Sequence, residues 1–242
     1  MKLAKPILFG VFILALAALG FLLWATAAMG PAPEAFAALR SDVHVTVTSD
    51  KFIVFQPAKK PATTALVFYP GGRVDYRSYA SPLHKIAAEG YLVILLPVRL
   101  NLALFDVNAA DRARADFPEI RHWVVGGHSL GGVAAGLYAS KHEGVDGVVF
   151  WASCPADDAM KNTEMKVLSI YGTLDMNHGR CFDASRANLP DDTQFVVIAG
   201  GNHAQFGDYG LQLGDNEATL TPSDQQNQVV AATVRFLKER GR

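Results

Sequence analysis

The chain has 242 residues, half of them apolar, which is enough to bury the core of one globular domain. Its 22 basic and 23 acidic side chains give a formal net charge of −1, so there is no electrostatic reason to expect nucleic acid as a partner. The sequence carries no basic run and no internal repeat, which also argues against a repeat architecture.

The first 30 residues differ in character from the rest of the chain. Two lysines precede residues 7–29, which carry no charge and which as a helix would measure about 34 Å, enough to cross a bilayer core. We predict that residues 1–30 are an uncleaved membrane anchor, because this stretch exceeds the roughly 7–15 apolar residues usual in a signal peptide. A signal peptide cleaved near Ala25-Thr26-Ala27 is the alternative. In both cases the lysines stay in the cytoplasm and the rest of the chain lies outside, in a single-pass protein of the cell membrane or a secreted one.

Residues 31–42 follow as a short tether with two prolines, and residues 43–242 are predicted to form one domain. Side chains alternate over residues 43–55 and the pattern breaks at Ser49-Asp50-Lys51, which predicts a hairpin of two antiparallel strands. The later strands are near-continuous apolar runs, typical of strands that are buried on both faces of a parallel sheet. These runs are residues 65–69, 91–96, 122–127, 147–152, 166–171 and 194–200.

Helix signals separate these apolar runs. Ser81-Pro82 and Thr221-Pro222 each join a capping side chain to a first-turn proline, and Asn108 is placed to cap residues 109–117. A hairpin followed by alternating strands and helices predicts an α/β domain with a mostly parallel sheet.

The most specific motif lies between the run 122–127 and a helix pattern rich in small residues. Residues 126–132, Gly-Gly-His-Ser-Leu-Gly-Gly, contain G-x-S-x-G at a strand-to-helix turn. Such a turn holds the central serine in a strained backbone conformation, which requires neighbours with almost no side chain. Gly127 and Gly131 meet this requirement. The motif therefore predicts that Ser129 is a nucleophile at one edge of the sheet.

Polar residues also follow other strands at the edge where the ligand sites of parallel sheets form. His203, in a glycine-rich loop after the last strand, is the predicted base, because serine needs an adjacent base to become nucleophilic. Asp175, after the run 166–171, is the predicted acid that orients this imidazole. His178 is the alternative base, and Asp157 and Asp158 are the alternative acids.

An oxyanion hole completes the predicted site. The turn Pro70-Gly71-Gly72-Arg73 follows the first parallel strand, and the N–H of Gly72 or Arg73 is expected to be one donor. The N–H of Leu130, directly after the nucleophile, is expected to be the other. This set of groups implies no metal and no organic cofactor.

Cys154 and Cys181 are the two cysteines of the chain, and both belong to the part that is predicted to be exported. An even number of cysteines in an oxidising compartment predicts a disulfide between them. Two unpaired thiols are the alternative.

The order of the motifs resembles that of α/β-hydrolases, in particular the small proteins without a cap that are grouped with dienelactone hydrolases. The motifs are residues 69–75, 126–132, 171–175 and 200–210. The resemblance implies an eight-stranded sheet, its second strand antiparallel, and assigns nucleophile, acid and base to Ser129, Asp175 and His203. Dienelactone hydrolases use cysteine as nucleophile, so their substrate is not carried over. Only about a dozen residues, 155–166, occupy the place where a helical cap is often inserted, so an open site is expected.

Together these features predict a serine hydrolase that cleaves small or accessible carboxylic esters through an acyl-enzyme. Its expected partners are a small-molecule ester and, through the N-terminal helix, the membrane. An acyltransferase that uses the same triad is one alternative. A non-catalytic binding domain on the same fold is the other.

Overall fold

The structure is a computed structural model that describes residues 4–241. Within these residues, the strands form one sheet in the order β1-β2-β4-β3-β5-β6-β7-β8, in which β2 is antiparallel to both neighbours and β3 to β8 are parallel. The predicted eight-stranded, mostly parallel sheet with an antiparallel second strand is therefore confirmed. The strands are β1 (Val45–Ser49), β2 (Ile53–Pro57), β3 (Thr64–Tyr69), β4 (Leu92–Leu95), β5 (His122–His128), β6 (Gly147–Trp151), β7 (Lys166–Gly172) and β8 (Gln194–Ile198).

Helices cover both faces of the sheet. They are α1 (Ala4–Thr26), α2 (Pro33–Ala38), α3 (Ala80–Ala88), α4 (Ala109–Asp116), α5 (Leu130–Ala139), α6 (His178–Asn188) and α7 (Pro222–Arg240). Successive side chains of a strand point to opposite faces. In β3, Leu66 and Phe68 thus join a core with α3 and α7, whereas Ala65 and Val67 join a second core with α4 and α5. Burial on both faces explains why the strands are almost entirely apolar.

One predicted helix start and one predicted capping interaction differ from the structure. Helix α3 begins at Ala80, directly after a 3-10 turn over Tyr76–Tyr79, so Ser81 lies inside the helix and does not cap it. Asn108 does precede α4, but its side chain makes no capping hydrogen bond. Thr221 caps α7 as predicted, because its hydroxyl accepts a hydrogen bond from the N–H of Asp224 (3.1 Å).

The segment between the N-terminal helix and the first strand is folded against the domain. Residues 31–42, predicted as a tether, contain helix α2, in which Ala35 is fully buried. The N–H of Ala32 donates to the carbonyl oxygen of Asp208 (2.7 Å). Before this segment, Ile7–Thr26 form a helix that is long and apolar enough to cross a membrane, and of its residues only Ala25 is buried by the rest of the chain.

No large cap covers the sheet in the part of the chain that the structure describes. Residues 152–165, which join β6 to β7, contain turns but no helix or strand. The place at which a helical cap is often inserted therefore holds only a short connection, as the sequence predicts.

Candidate active site

The turn between β5 and α5 has the geometry of a nucleophile elbow. Ser129 has φ 51° and ψ −122°, a strained left-handed conformation for a residue with a side chain. A Cβ atom at Gly127 would overlap the backbone of Gly131, and one at Gly131 would overlap the carbonyl oxygens of Tyr69 and Pro70. Both glycines are thus required by close backbone approach. The N–H of Ser129 donates to Trp151 at the end of β6 (3.0 Å), which fixes the turn to the sheet edge.

The predicted acid and base lie side by side. Nδ1 of His203, in the loop after β8, is 3.0 Å from Oδ2 of Asp175, in the loop after β7. The His203 side chain is fully buried and that of Asp175 nearly so. The other carboxylate oxygen, Oδ1, accepts a hydrogen bond from the N–H of Asn177 (2.7 Å). With a carboxylate at Nδ1, the free nitrogen of the neutral imidazole is Nε2.

Nε2 of His203 is buried and has no hydrogen-bond partner among the described residues. The imidazole ring packs on His128, the residue before Ser129, with ring centroids 4.6 Å apart. Ser129 itself is partly exposed. A buried nitrogen without a partner is costly, and hydrogen bonds of catalytic groups are often completed only when substrate is present. The free nitrogen thus belongs to a ring that packs against the residue before Ser129, and the hydrogen bond between the Ser129 hydroxyl and His203 is not formed in the structure.

His128 belongs to a hydrogen-bonded chain that sequence analysis missed. The N–H of Gly71 donates to the hydroxyl of Tyr79 (3.1 Å), and this hydroxyl lies 2.8 Å from Nδ1 of His128. Nε2 of His128 lies 3.1 Å from the carbonyl oxygen of His203. Because a carbonyl oxygen only accepts, Nε2 carries the proton and Nδ1 accepts from Tyr79. The chain connects the loop of the predicted oxyanion hole to the loop of the base.

Both side chains of this network are neutral. Burial lowers the pKa of His128 well below its usual value, and the nearby His203 imidazole lowers it further. Burial raises the pKa of the Tyr79 hydroxyl above its usual value. A neutral phenol and a neutral imidazole match the hydrogen bonds that the geometry requires.

Of the two N–H groups predicted as the first oxyanion donor, those of Gly72 and Arg73, the structure favours Gly72. The N–H of Arg73 donates to the carbonyl oxygen of Asn101 (2.8 Å) and is therefore occupied, whereas that of Gly72 makes no hydrogen bond within residues 4–241. Leu130 is the first residue of α5, so its N–H has no acceptor within the helix. A Cβ atom at Gly72 would lie 3.0 Å from Cδ2 of Leu130, which puts the two predicted donor residues next to each other.

Asp215 ties the acid loop to the base loop, and no sequence pattern identified it. Its Oδ1 accepts a hydrogen bond from the N–H of Met176 (3.2 Å), and its Oδ2 accepts one from the N–H of Ala204 (2.8 Å). These donors directly follow Asp175 and His203 in the chain. One carboxylate thus sets the separation of the two loops.

The alternative acids and base do not join this group. His178 packs against the rings of Tyr171 and Phe182 and makes no hydrogen bond to the Asp175 carboxylate, which pairs with His203. Asp157 and Asp158 lie exposed in the β6–β7 connection.

The two cysteines are joined in the structure. Cys154, after β6, and Cys181, in α6, form a disulfide with Cα atoms 5.2 Å apart. The bond connects the start of the β6–β7 connection to the helix that follows Asp175.

Comparison with known proteins agrees with the predicted family. The model of the alpha/beta hydrolase family matches residues 65–227, which is more than half of the chain. The chain therefore belongs to the alpha/beta hydrolase family. No curated protein matches it by sequence.

Several solved structures are similar to this chain. Dienelactone hydrolase from Anabaena variabilis is 16% identical, with 81% of this chain and 99% of that chain covered and a TM-score of 0.61. The esterase domain of a Rhodothermus marinus protein is 13% identical, with 82% and 99% covered and a TM-score of 0.61. An inhibited esterase B from Lactobacillus rhamnosis is 15% identical, with 86% and 92% covered and a TM-score of 0.59. At these identities the similarity establishes the fold, and it agrees with the predicted resemblance to dienelactone hydrolases.

Proposed function

We propose that this protein is a serine hydrolase that cleaves carboxylic esters with Ser129 as nucleophile, His203 as base and Asp175 as acid. The observation that supports this most directly is the buried Asp175–His203 pair (3.0 Å) beside the strained serine turn. Membership of the alpha/beta hydrolase family supports the same three roles, because the triad of that fold follows the chain order serine, acid, histidine.

In the first half of the proposed reaction, the Ser129 oxygen attacks the ester carbonyl carbon while its proton passes to Nε2 of His203. The Asp175 carboxylate stabilises the imidazolium that forms. The carbonyl oxygen becomes an oxyanion, which the N–H groups of Gly72 and Leu130 stabilise. The tetrahedral adduct then collapses. The alcohol leaves with the proton from His203, and an ester of Ser129 remains.

In the second half, water replaces the alcohol. His203 takes a proton from the water as its oxygen attacks the acyl-serine carbonyl, and the same two N–H groups stabilise the second oxyanion. Collapse releases the carboxylic acid and returns the proton to Ser129. Every proton is carried by His203, so no other titrating group is required.

The Ser129→Ala variant tests this proposal. We expect it to lose p-nitrophenyl acetate hydrolysis by about 10³-fold or more and to lose labelling by a fluorophosphonate probe, because the attacking oxygen is absent. Ser140→Ala is a matched control, since Ser140 ends α5 far from the elbow along the same helix. Labelling of Ser129→Ala at the wild-type rate would falsify the assignment of the nucleophile.

We infer further that α1 anchors the protein in the membrane, with the hydrolase domain on the extracytoplasmic side. The support is a helix of sufficient length and apolarity, the basic residues before it, and a disulfide that suits an oxidising compartment.

A further inference from the structure

The end of α1 is attached to the loops that surround Gly72. The Arg73 guanidinium donates from Nε to the carbonyl oxygen of Trp24 (2.9 Å) and from Nη2 to that of Ala27 (3.0 Å), and it lies 4.6 Å from the centroid of the Trp24 ring. The side-chain amide of Asn101 donates to the carbonyl oxygen of Ala25 (3.3 Å). The anchor therefore leaves the domain beside the proposed oxyanion hole.

The chain after the helix continues this attachment. The N–H of Met29 donates to the carbonyl oxygen of Arg73 (2.8 Å), and the N–H of Asp75 donates to that of Met29 (2.9 Å). The two segments thus form a short parallel bridge between Met29 and Val74. Because hydrogen bonds fix this connection, the position of the helix end relative to the Gly72 loop is set by the fold.

The same attachment sets how deep the loop that contains Phe105 lies relative to the bilayer. Phe21 lies five residues before Thr26, the end of the apolar span, which is about 7.5 Å along the helix axis. Its ring is packed edge-on against Phe105, with centroids 6.1 Å apart. If the span crosses the bilayer, Phe105 must reach the outer margin of the hydrocarbon. Phe105 and Leu104 are 53% and 44% exposed, which suits lipid contact better than water.

An apolar path leads from this loop to the site. Leu102, next to Leu104 and Phe105 in the chain, is almost fully buried. One of its methyl groups lies 3.7 Å from where a Cβ atom of Gly72 would be, and Leu130 is closer still. Leu102, Leu104 and Phe105, which we call the entry edge, therefore place apolar side chains between the bilayer margin and the oxyanion donors.

We propose that the substrates are acyl esters of membrane lipids, which reach Ser129 from the outer leaflet across this entry edge. The inference rests on the proposed esterase function and deepens it. The site has no cap in the part of the chain that the structure describes, so no lid encloses a long acyl chain there. When its mouth touches the bilayer, the chain stays in the lipid while only the ester group enters the site, so chain burial costs nothing. Trp24 and Arg73 occupy the headgroup level, where aromatic and cationic side chains are favoured.

The test uses full-length protein in phosphatidylcholine vesicles with two substrates in parallel. One is a fluorogenic oleate ester dissolved in the bilayer, and the other is p-nitrophenyl acetate in water. We expect Phe105→Asp to slow oleate ester hydrolysis by roughly tenfold, because a carboxylate is disfavoured at the bilayer margin. Acetate hydrolysis should stay within about twofold. Phe105→Leu should restore the oleate rate, and Val43→Ser, at an exposed apolar residue before β1, is the matched control.

A second measurement does not depend on activity. Tryptophan fluorescence of Phe105→Trp should be quenched by spin-labelled lipids more than that of the wild type. Absence of added quenching, a proportional loss of both activities in Phe105→Asp, or no turnover of the oleate ester by the wild type would each overturn lipid entry. A wild type that hydrolyses neither ester would instead overturn the proposed function.

Discussion

His128 shows how a residue inside a catalytic motif can serve the fold rather than the chemistry. Its two ring nitrogens connect Tyr79 to the backbone of His203. The sequence places His128 next to the nucleophile but does not reveal these partners. The side chain is fully buried between elements that are 49 and 75 residues away along the chain.

The burial of His128 makes folding sensitive to acid. Its pKa lies below the ordinary value in the folded protein because of burial and the nearby His203. The unfolded chain binds a proton there near pH 6.5, and the folded protein binds it only at lower pH. The stability that the neutral ring contributes is therefore complete above about pH 6.5 and is lost as the pH falls from there towards the folded-state pKa.

We accordingly expect His128→Gln to flatten the pH dependence of stability, because glutamine keeps a donor and an acceptor but does not titrate. Between pH 6.5 and 4.5 the wild type should lose up to about 1.4 kcal/mol per pH unit more than the variant, the value for one proton. Thermal unfolding of the detergent-solubilised protein at several pH values measures this. His44→Gln, at an exposed histidine, should leave the profile unchanged. Parallel profiles for wild type and His128→Gln would count against the argument.

At the scale of elements, the sequence predicts those strands and helices that have a strong local pattern of apolar residues. Six apolar runs and a hairpin were sufficient for the sheet, because strands buried on both faces tolerate few polar residues. Helix α6 escaped prediction, since it buries only Ser185 and thus has no apolar stripe. The start of α3 was misplaced because the 3-10 turn before it lacks a distinctive pattern.

Within the site, too, some residues can be predicted from local sequence and others cannot. Ser129, Asp175 and His203 follow predicted strands and could be proposed from the chain alone. The choice between Gly72 and Arg73 could not be made, because it depends on a contact to Asn101, which lies 28 residues further on and has a left-handed backbone (φ 54°). Asp215 likewise lies in a loop without a motif. Such contacts are set by tertiary structure rather than by local sequence.

Asp215 is predicted to be a positioning residue for the acid and base loops. In Asp215→Asn, an NH₂ group replaces one of the two carboxylate oxygens. Because this group cannot accept a hydrogen bond, the N–H of either Met176 or Ala204 loses its partner, and the loop that carries it is no longer held. We expect kcat for p-nitrophenyl acetate to fall by about 10–100-fold with little change in KM, since small misplacement of catalytic groups is costly. Asp191→Asn, at an exposed loop residue, is the control. A variant with wild-type kcat, or one in which only KM changes, would contradict this role.

At the scale of the whole molecule, the end of the N-terminal helix is attached to the domain by hydrogen bonds. The carbonyl groups of Trp24, Ala25 and Ala27 are hydrogen-bonded by the domain, and Ala25 is fully buried. These residues overlap with Ala25-Thr26-Ala27, the candidate cleavage site of a signal peptide. Because their contacts hold the segment against the domain, they favour the inferred anchor over a cleaved signal peptide.

We therefore expect the mature protein to keep its first 27 residues. It should fractionate with membranes and resist carbonate extraction, because about 20 apolar residues in a bilayer bind far more strongly than surface contacts do. Intact-mass measurement of C-terminally tagged protein from the membrane fraction checks the N-terminus directly. A version in which a cleavable signal peptide replaces residues 1–27 should be released by carbonate and serves as the comparison. Recovery of the native protein as a soluble form beginning at Ala28 would show that the segment is a signal peptide, and entry of substrate from the leaflet would then have no anchor to depend on.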